Sequence, residues 1–443
     1  MINIWIGIDD TDSTKGGCTT FLACILINTL TGVGYDVIGF PRLVRLNPNI
    51  PWKTRGNGAI SFQVGKGKGK KTKIGEIHGK KIFCYSQIQS KKFDYNNIKK
   101  IIEKTIDKHA KLKDKNTNSG FVMLKDQPSF KTYKKTVQEI VTLEETKKFL
   151  QLKKAEFKGY KNCRGLIGAT ASVAWNPPSD KTYEFIAYRK KERWGSKRLV
   201  DDSSTMKMDK KITSTFDNYD YGNNHNRLVP NSPCPVLYGI RGGKNNDLID
   251  ASLMIISEKI DSWLIFETNQ GTDDHLQKRE IKDVKAYQSI IAKGLVCKNP
   301  EDIRGGHVIF SISDSTGSID CAAYEPTKQF RNIIRELTVG DRVEVYGGVR
   351  DTPLTVNLEK INIINLKKLI SKVENPICPN CGKHMKSKGK NQGFKCVKCG
   401  IKSDKPKMVE LKREIKTGFY EAPICARRHL SKPLKRILDN NLK

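Results

Sequence analysis

The sequence lacks the long apolar runs of a membrane protein. None of its 443 residues lies in an uninterrupted apolar stretch of about 18 residues, the minimum for a helix that crosses a bilayer. The N-terminus also lacks the basic segment followed by an apolar one that marks a secretory signal. We therefore predict a cytoplasmic protein that has no membrane partner.

Acidic residues are scarce relative to basic ones. The chain has 47 Asp and Glu against 80 Lys and Arg, which gives a formal net charge of +33. Such an excess favours a polyanionic partner, most simply a nucleic acid. The alternative is a Lys-rich proteome, which raises basicity in any protein.

Cysteines are too few for a disulfide framework in a chain of this length, which favours a reducing compartment. Four of the twelve form two C-x-x-C pairs, Cys378 with Cys381 and Cys396 with Cys399, and fourteen residues separate the pairs. A glycine follows each pair and allows the tight turn in which backbone amides point at the thiolates. Four thiolates at this spacing select tetrahedral Zn²⁺ in a closed, structural site. We predict a zinc ribbon over 372–403, with an iron–sulfur site as the alternative.

Two α/β units are predicted before the ribbon, over 1–158 and 159–280. In the first, strand and helix patterns follow the order βαββαβ of a ferredoxin-like unit. The strands are expected at 3–8, 36–46, 57–64 and 120–124, and the helices at 17–33, 95–110 and 141–157. In the second unit we expect a helix near 251–259. The Gly/Lys alternation at 65–73 favours a solvated hairpin or loop, and the polar stretch 199–232 favours a functional loop or flexible insert.

Residues 285–367 change to an all-β pattern. Five strand-like runs surround one helical run at 327–337, which lies between the third and fourth strands. This order is typical of an OB-fold, a barrel that binds single-stranded or irregular nucleic acid. The alternative is an OB-fold that acts only as a spacer.

The segment after the ribbon, 404–443, is basic and partly helical. From 371 to 443 there are 19 Lys and Arg against 6 Asp and Glu, a net charge of +13. We expect one side of this tail to dock on the protein and the other, with Arg427, Arg428, Lys432 and Lys435, to face phosphates. The alternative is a solvated tail.

The stretch "GIDDTDSTKGGCTT" crowds carboxylates just after the first strand. Asp9, Asp10 and Asp12 occupy three of four consecutive positions. The carboxyl end of a strand is a usual ligand position in α/β folds, and converging carboxylates suit Mg²⁺. The alternative is that they merely cap a turn. No G-x-x-x-x-G-K-[ST] pattern occurs here, so the stretch is not a P-loop.

The helix predicted at 17–33 begins five residues beyond Asp12. Gly16 and Gly17 let the backbone approach an anion, and the amides from Gly17 through Cys18 to Thr20 would point out of the helix N-terminus. Thr19 or Thr20 then presents a hydroxyl beside the phosphates of a bound nucleotide. It could ligate the metal or accept a phosphoryl group, and the charge pattern does not separate the two threonines.

Two further motifs suit a nucleotide pocket. Arg55 and Asn57 lie in "TRGNGA", and Arg241 lies in "GIRG". Glycine permits close approach of a ligand and arginine pairs with phosphate. The alternative for each motif is an ordinary turn.

Eight motifs, in order, resemble those of the archaeal tRNA(Ile2) 2-agmatinylcytidine synthetase family. They are "GIDDTDSTKGGCTTFLA", "IGFPRLVRLNPNIPWKTRGNGAISF", "STFDNYD", "PVLYGIRG", "TNQGTDDH", "AYEPTKQFRNIIREL", the CPNC…CVKC ribbon and "ARRHLSKPLK". The resemblance covers essentially the whole chain.

The resemblance implies a multidomain fold: an α/β half with ferredoxin-like and kinase-type units, an all-β OB-fold and a C-terminal zinc ribbon. It places the kinase motif in the first half, so we expect the catalytic pocket between the two α/β units. It also implies a C–N bond-forming ligase. Such an enzyme uses ATP, cleaved to AMP, to phosphorylate C2 of the wobble cytidine C34 of the AUA-decoding tRNA, and agmatine's primary amine then displaces the phosphate.

The resemblance also implies roles for individual residues. The acidic cluster maps to Asp9, Asp10 and Asp12, and the autophosphorylated threonine maps to Thr19. Agmatine is a dication, so its guanidinium needs carboxylates or aromatic faces. The candidates are Asp217, Asp220, Asp273 and Asp274. The family pattern leads us to expect an acid where Cys234 stands.

The implied cofactors are ATP, Mg²⁺ and structural Zn²⁺. The implied partners are agmatine and a tRNA(Ile2) with a CAU anticodon, bound by a monomer. Two alternatives compete with this interpretation. One is a non-catalytic OB-fold and zinc-ribbon nucleic-acid-binding protein, and the other is a phosphotransferase acting on a small substrate.

Overall fold

The computed structural model describes residues 4–89, 94–177, 180–405 and 407–441. It confirms the expected fold class: a mixed α/β half, an OB-fold and a four-cysteine ribbon. The first α/β unit contains β1 (Ile4–Asp9), α1 (Thr19–Gly32), β2 (Asp36–Arg45), β3 (Gly58–Ile77), β4 (Lys80–Gln89), α2 (Tyr95–His109), β5 (Gly120–Leu124), α3 (Phe130–Gln138), α4 (Leu143–Leu152) and β6 (Glu156–Gly159).

Four strands of this unit form an antiparallel sheet in the order β5-β1-β3-β2. With α1 after β1 and α2 before β5, this is the order of the ferredoxin-like unit that the sequence predicted. Of the two alternatives predicted for 65–73, the hairpin is confirmed and the loop is wrong, because these residues lie within β3 and pair with β4. Alternate glycines along β3 leave room for partner side chains: a Cβ on Gly67 would lie 2.3 Å from the Tyr85 ring.

The second unit continues the same sheet. Its elements are α5 (Gly165–Ala174), β7 (Thr182–Arg189), α6 (Asp202–Lys211), β8 (Thr215–Phe216), β9 (Tyr219–Asp220), β10 (His225–Asn226), β11 (Val236–Gly242), α7 (Asn245–Leu253) and β12 (Ile260–Thr268). β12 runs parallel to the end of β2, where Thr268 pairs with Leu43, and antiparallel to β3, where Ser262 pairs with Ile77. The two units therefore share one ten-stranded sheet.

Three expectations for helices and loops need correction. The pattern at 141–157 is a helix followed by a strand, because Lys153–Ala155 turn the chain into β6. The helix expected near 251–259 is α7, which ends at Leu253. The stretch 199–232 is not an open loop, since it contains α6, whose first turn is capped by the Asp201 side chain, and the short strands β8–β10.

Helices cover both faces of the shared sheet. The period of two in β1 sends Ile6 and Ile8 into a core with α1 and α2, while Trp5 packs on the other face against α4 and α5. Helix α5 approaches β1 closely because Gly7 has no side chain. A Cβ at Gly7 would lie 2.2 Å from the carbonyl oxygen of Ala169.

The OB-fold has its strands and helix where the sequence predicted them. The elements are β13 (Leu276–Lys278), β14 (Ser289–Ile303), β15 (His307–Asp314), β16 (Gly317–Ala323), α8 (Phe330–Arg335), β17 (Arg342–Arg350) and β18 (Thr355–Asn365). Pairing of β14 with β17 and of β16 with β18 closes the barrel.

The zinc ribbon is inserted between two strands of the OB-fold sheet. A two-stranded stalk of β19 (Leu369–Glu374) and β23 (Lys407–Leu411) carries β20 (Lys386–Ser387), β21 (Phe394–Lys395) and β22 (Lys402–Ser403). The chain then returns to the OB-fold as β24 (Gly418–Glu421), which pairs with β18, and ends the described region in α9 (Leu434–Asn441).

Buried charged residues hold the OB-fold against the two α/β units. The fully buried Lys360 lies 2.5 Å from Asp273 and donates to the carbonyl of Lys432 at 2.9 Å. Beside it, Glu359 lies 3.1 Å from the buried ring of His275. Burial raises the pKa of Glu359, but His275, Arg428 and Lys360 outweigh burial and lower it to about 2. Because buried charges are tolerated only when paired, these contacts fix the two parts in one arrangement.

We expect Gly7→Ala to destabilise the protein by about 2 kcal/mol, since the new methyl group must displace the backbone of α5. Gly32→Ala is the matched control, because nothing lies within 4 Å of its Cβ position at the end of α1. Thermal unfolding of both variants measures the difference. Equal midpoints for Gly7→Ala and Gly32→Ala would contradict the packing described here.

Candidate active site

A cavity of about 410 Å³ opens at the carboxyl ends of β1 and β2 and is lined by residues of both α/β units. The lining includes most residues of the predicted nucleotide site: Asp9, Asp10, Asp12, Cys18, Thr19, Thr20, Arg55, Asn57 and Arg241. Residues as far apart in sequence as Asp9 and Arg241 are thus brought together by the shared sheet and by α5, whose N-terminal residues Arg164 and Gly165 also line the cavity.

The acidic cluster forms one end of the cavity. Asp10 accepts hydrogen bonds from Thr54 and from the Asn118 amide, each at 2.9 Å, and its own amide donates to Asp9 at 2.7 Å. Burial, followed by the charge of Asp10, raises the pKa of Asp9 well above its usual value, and burial also raises that of Asp10. A bound cation would offset this crowding of like charge.

Asp12 is partly neutralised by the chain itself. Arg55 pairs with it through Nε at 2.5 Å and donates from Nη2 to the Gly17 carbonyl at 2.8 Å. Within the described residues, the three aspartates are not close enough together to enclose an ion by themselves. Asp9 and Asp10 therefore suit Mg²⁺ that retains waters and phosphate oxygens, as Mg²⁺ usually does.

Two helix N-termini point into the cavity. α1 begins at Thr19 and presents its first backbone amides where an anion is favoured. α5 begins at Gly165, but the amides of Gly165, Leu166 and Ile167 already donate to backbone carbonyls. Thr19 and Thr20 differ in their contacts: Thr19 Oγ1 accepts from Thr11 at 3.2 Å, while Thr20 Oγ1 lies 3.0 Å from the Cys18 sulfur.

Gly16 and Gly17 do not line the cavity, contrary to expectation. They form a tight turn in which Ser13 and Gly16 exchange backbone hydrogen bonds. Gly17 has a φ of +77°, and a Cβ there would lie 2.9 Å from the Lys111 side chain. Their role is to let the chain turn from the carboxylates into α1.

The missing side chain of Gly168 leaves room for the Asp9 carboxylate. A Cβ on this residue of α5 would lie 1.9 Å from Asp9 Oδ2. The second α/β unit thus forms a wall against the acidic cluster of the first. Nearby, the Arg164 guanidinium stacks on the Trp52 ring at 4.3 Å, and both side chains line the cavity.

The four predicted agmatine ligands lie outside the cavity lining and are engaged by other residues. Asp217 pairs with Arg427, and Asp220 accepts from the backbone amides of Asn223 and Cys425. Asp273 pairs with Lys360, and Asp274 accepts from Tyr133 at 2.9 Å. Their carboxylates stabilise the fold here, so the structure does not support them as free ligands.

The four basic tail residues also contact protein groups. Arg427 pairs with Asp217 and Glu421, and Lys432 Nζ lies 2.9 Å from Asp180. Lys435 donates to the Thr215 carbonyl at 2.8 Å. Arg428 donates to Asn49 Oδ1 at 2.5 Å and keeps 30% of its side chain exposed. The tail therefore docks through the side that was expected to face phosphates, and Lys435, which is exposed, remains the most accessible of the four.

The cysteines form the predicted tetrad. Their sulfur atoms lie within 4.8 Å of one another, and those of Cys381 and Cys396 are 3.5 Å apart. The Cys399 amide points at the Cys396 sulfur at 3.4 Å and lowers its pKa to about 7. Four such sulfurs fit a tetrahedral Zn²⁺, whose bonds to sulfur are about 2.3 Å long.

Comparison with known proteins identifies related chains. Family models match for the TiaS TCKD domain (5–162), the TiaS FLD domain (163–275), an OB-fold nucleic acid binding domain (290–364) and the TiaS C-terminal zinc ribbon domain (375–415). The tRNA(Ile2) 2-agmatinylcytidine synthetase TiaS of Methanocaldococcus jannaschii is 45% identical over 448 residues, which cover 99% of each chain.

This chain belongs to the tRNA(Ile2) 2-agmatinylcytidine synthetase family. Two crystal structures of TiaS are similar to it over 98% of each chain. One is a complex with tRNA(Ile2) and ATP, at a TM-score of 0.84 and 41% identity. The other is a complex with tRNA(Ile2), AMPCPP and agmatine, at 0.82 and 39%.

Several residues that line the cavity of this synthetase were not predicted from the sequence. Arg45, Glu184, Arg227 and His429 line the cavity, and His429 comes from the segment after the zinc ribbon. Cys234, where an acid was expected, also lines it and lies beside Arg198, which donates to its carbonyl at 2.9 Å. No motif connects these residues in sequence, although "PRLVRL" and "ARRH" both belong to the stretches that resemble the synthetases.

We expect the purified synthetase to contain one zinc ion per chain and Cys396→Ser to lose it, since three thiolates no longer close the tetrahedral site. Cys297→Ser is the control, because Cys297 is an exposed free cysteine outside the tetrad. Metal analysis after desalting measures the content. A zinc content that Cys396→Ser leaves unchanged would contradict this assignment.

Proposed function

We propose that this chain conjugates agmatine to C2 of the wobble cytidine C34 of tRNA(Ile2) with the CAU anticodon, in a reaction that cleaves ATP to AMP. The observation that carries the proposal is the convergence of Asp9, Asp10 and the N-terminal threonines of α1 in one cavity. Family membership over the full chain supplies the substrates.

The chemistry requires activation of a poor electrophile. The C2 carbonyl of cytosine is amide-like, and its oxygen is a poor leaving group until it carries a phosphoryl group. The γ-phosphoryl group of ATP is transferred to this oxygen, and water cleaves the α–β bond, which releases AMP and the β-phosphate. The primary amine of agmatine then forms the new C–N bond and loses a proton, and the C2–O bond breaks to release the oxygen with the transferred phosphoryl group as phosphate. C34 must leave the anticodon stack to enter the cavity.

The residues of the cavity divide this work. Asp9 and Asp10 would hold Mg²⁺, which neutralises charge on the ATP phosphates when it is bound. The N-terminus of α1 would stabilise the same phosphates through its amides. Thr19, the first residue of α1, is proposed as the hydroxyl that accepts a phosphoryl group, with Thr20 in a supporting position beside Cys18.

The remaining parts would hold the RNA. The OB-fold, the zinc ribbon and the exposed Lys435 would supply positive surface for the tRNA. The guanidinium of agmatine would meet carboxylates that line the cavity rather than the four ion-paired or hydrogen-bonded aspartates outside it. We propose that the protein acts as a monomer in the cytoplasm.

The decisive assay combines the purified protein, labelled agmatine, Mg-ATP and an unmodified transcript of the CAU tRNA. We expect label in the RNA and stoichiometric AMP. Asp10→Asn should lower the rate by at least about a hundredfold, because a metal and phosphate ligand is lost. Thr19→Ala should abolish labelling of the protein by γ-labelled ATP.

Thr20→Ala is the matched control, since it removes a neighbouring hydroxyl of the same helix turn. If it loses protein labelling while Thr19→Ala keeps it, the roles of the two threonines are reversed. If wild type forms no AMP and places no label in RNA, the proposal fails in favour of a non-catalytic nucleic-acid-binding protein.

A further inference from the structure

One face of the shared sheet carries aromatic rings and lysines side by side near the β3–β4 hairpin. Lys71 pairs with Tyr85 and Lys73 pairs with Phe83 across these two strands, so the four side chains lie on the same face. Trp263 of the neighbouring strand β12 lies beside them, with its ring centre 5.1 Å from Nζ of Lys73. These five side chains form what we call the lysine–aromatic patch.

The patch lies on the face of the sheet opposite to α1 and α2. Cys84 belongs to the core that these two helices cover, and its neighbours Phe83 and Tyr85 point the other way because strand residues alternate. On that side α5 packs on β1 and β5, and α7 packs on β7 and β11, so the patch lies between the two helices. Its three rings are half-buried and Lys71 is exposed.

The patch combines positive charge with aromatic surface. Nζ of Lys71 lies 4.3 Å from the ring centre of Phe83 and makes no hydrogen bond or ion pair with the described residues. Lys73 pairs with Glu76 at 2.9 Å. Across 65–89 the sequence has seven lysines and a single acid, Glu76. A partner that carries both negative charge and flat rings would therefore complement this surface.

We propose that the lysine–aromatic patch binds a single-stranded segment of an RNA other than the tRNA that the cavity would receive. Unpaired bases stack on aromatic side chains with little sequence preference, and lysines contact the phosphates between them. RNA-recognition modules built on a four-stranded sheet bind bases in this way. A duplex keeps its bases stacked on one another and cannot use the rings.

The patch is separate from the cavity. The cavity lining among the described residues includes none of its five side chains. Trp263 lies five residues before Thr268, whose partner Leu43 lines the cavity, and five residues of a strand span about 17 Å. The chain enters the OB-fold beyond that end of β12, where Gly271 donates to the His429 carbonyl at 2.8 Å. A tRNA held by the cavity and the OB-fold would therefore leave the patch open to a second strand, whether or not the chain is a ligase.

Fluorescence anisotropy of a labelled octauridylate tests the patch, with the full-length protein saturated by an unlabelled CAU tRNA transcript. We expect saturable binding that Tyr85→Leu weakens at least about fivefold, because leucine keeps the apolar contact but cannot stack on a base. Tyr85→Phe is the matched control. It keeps the ring, so its affinity should stay within twofold of wild type.

The charge of the patch gives a second readout. Lys71→Gln should lower the affinity and reduce the slope of log K against log salt concentration by about 0.7, the value for one phosphate contact on a single strand. Lys100→Gln is the matched control, since Lys100 is an exposed lysine of α2, on the other face of the sheet. Its slope should equal that of wild type.

Crosslinking with a 4-thiouridine oligonucleotide, followed by mass spectrometry, locates the bound strand. We expect adducts on Phe83, Tyr85 or Trp263. Equal affinities of Tyr85→Leu and Tyr85→Phe would overturn the proposal, as would loss of oligonucleotide binding when the tRNA is saturating. Adducts at the same rings from 4-thiouridine placed in the tRNA would show that the tRNA itself covers the patch, and would overturn the assignment to a second RNA.

Discussion

The pairing of β12 with β2 and β3 is the constraint on which the cavity depends. Backbone hydrogen bonds across this seam make one sheet from two α/β units. Asp9 and Arg241, which are far apart in sequence, therefore lie at the same edge of this sheet. Helix α5 completes the arrangement, since the absence of side chains at Gly7 and Gly168 lets it press against β1 and beside Asp9.

The two ends of the cavity carry charges of opposite sign. Burial, followed by the charge of Asp10, raises the pKa of Asp9, while the nearby charge of Arg45 lowers the pKa of His429. Arg55 pairs with Asp12 and Glu184 pairs with Arg241, so the chain balances each end only in part. A metal with a polyphosphate would balance both at once, which is the physical reason for assigning a nucleotide to this cavity rather than an uncharged substrate.

Much of the fold could be predicted from local sequence patterns. The period of two in β1, the C-x-x-C spacing and the turn-bounded strands of the OB-fold each depend on neighbouring residues, and each was predictable. The role of Asp217 and Asp273 was not, because their partners Arg427 and Lys360 lie far away in sequence and only packing brings them together. Arg227 was missed for the same reason: a lone arginine after a polar stretch has no local signature. The sequence predicted that Gly17 lets the backbone approach an anion. In the structure its missing side chain leaves room for Lys111, which comes from another part of the unit.

The position of His429 has a consequence for synthesis of the chain. This residue closes one wall of the cavity, and its carbonyl and that of Leu430 accept hydrogen bonds from Gly271 and Asp273. A ribosome makes residues 1–280 long before it makes this segment. The cavity of the nascent chain therefore lacks the part of its wall that His429 supplies. The order of translation delays the first turnover until the OB-fold and the ribbon have been made.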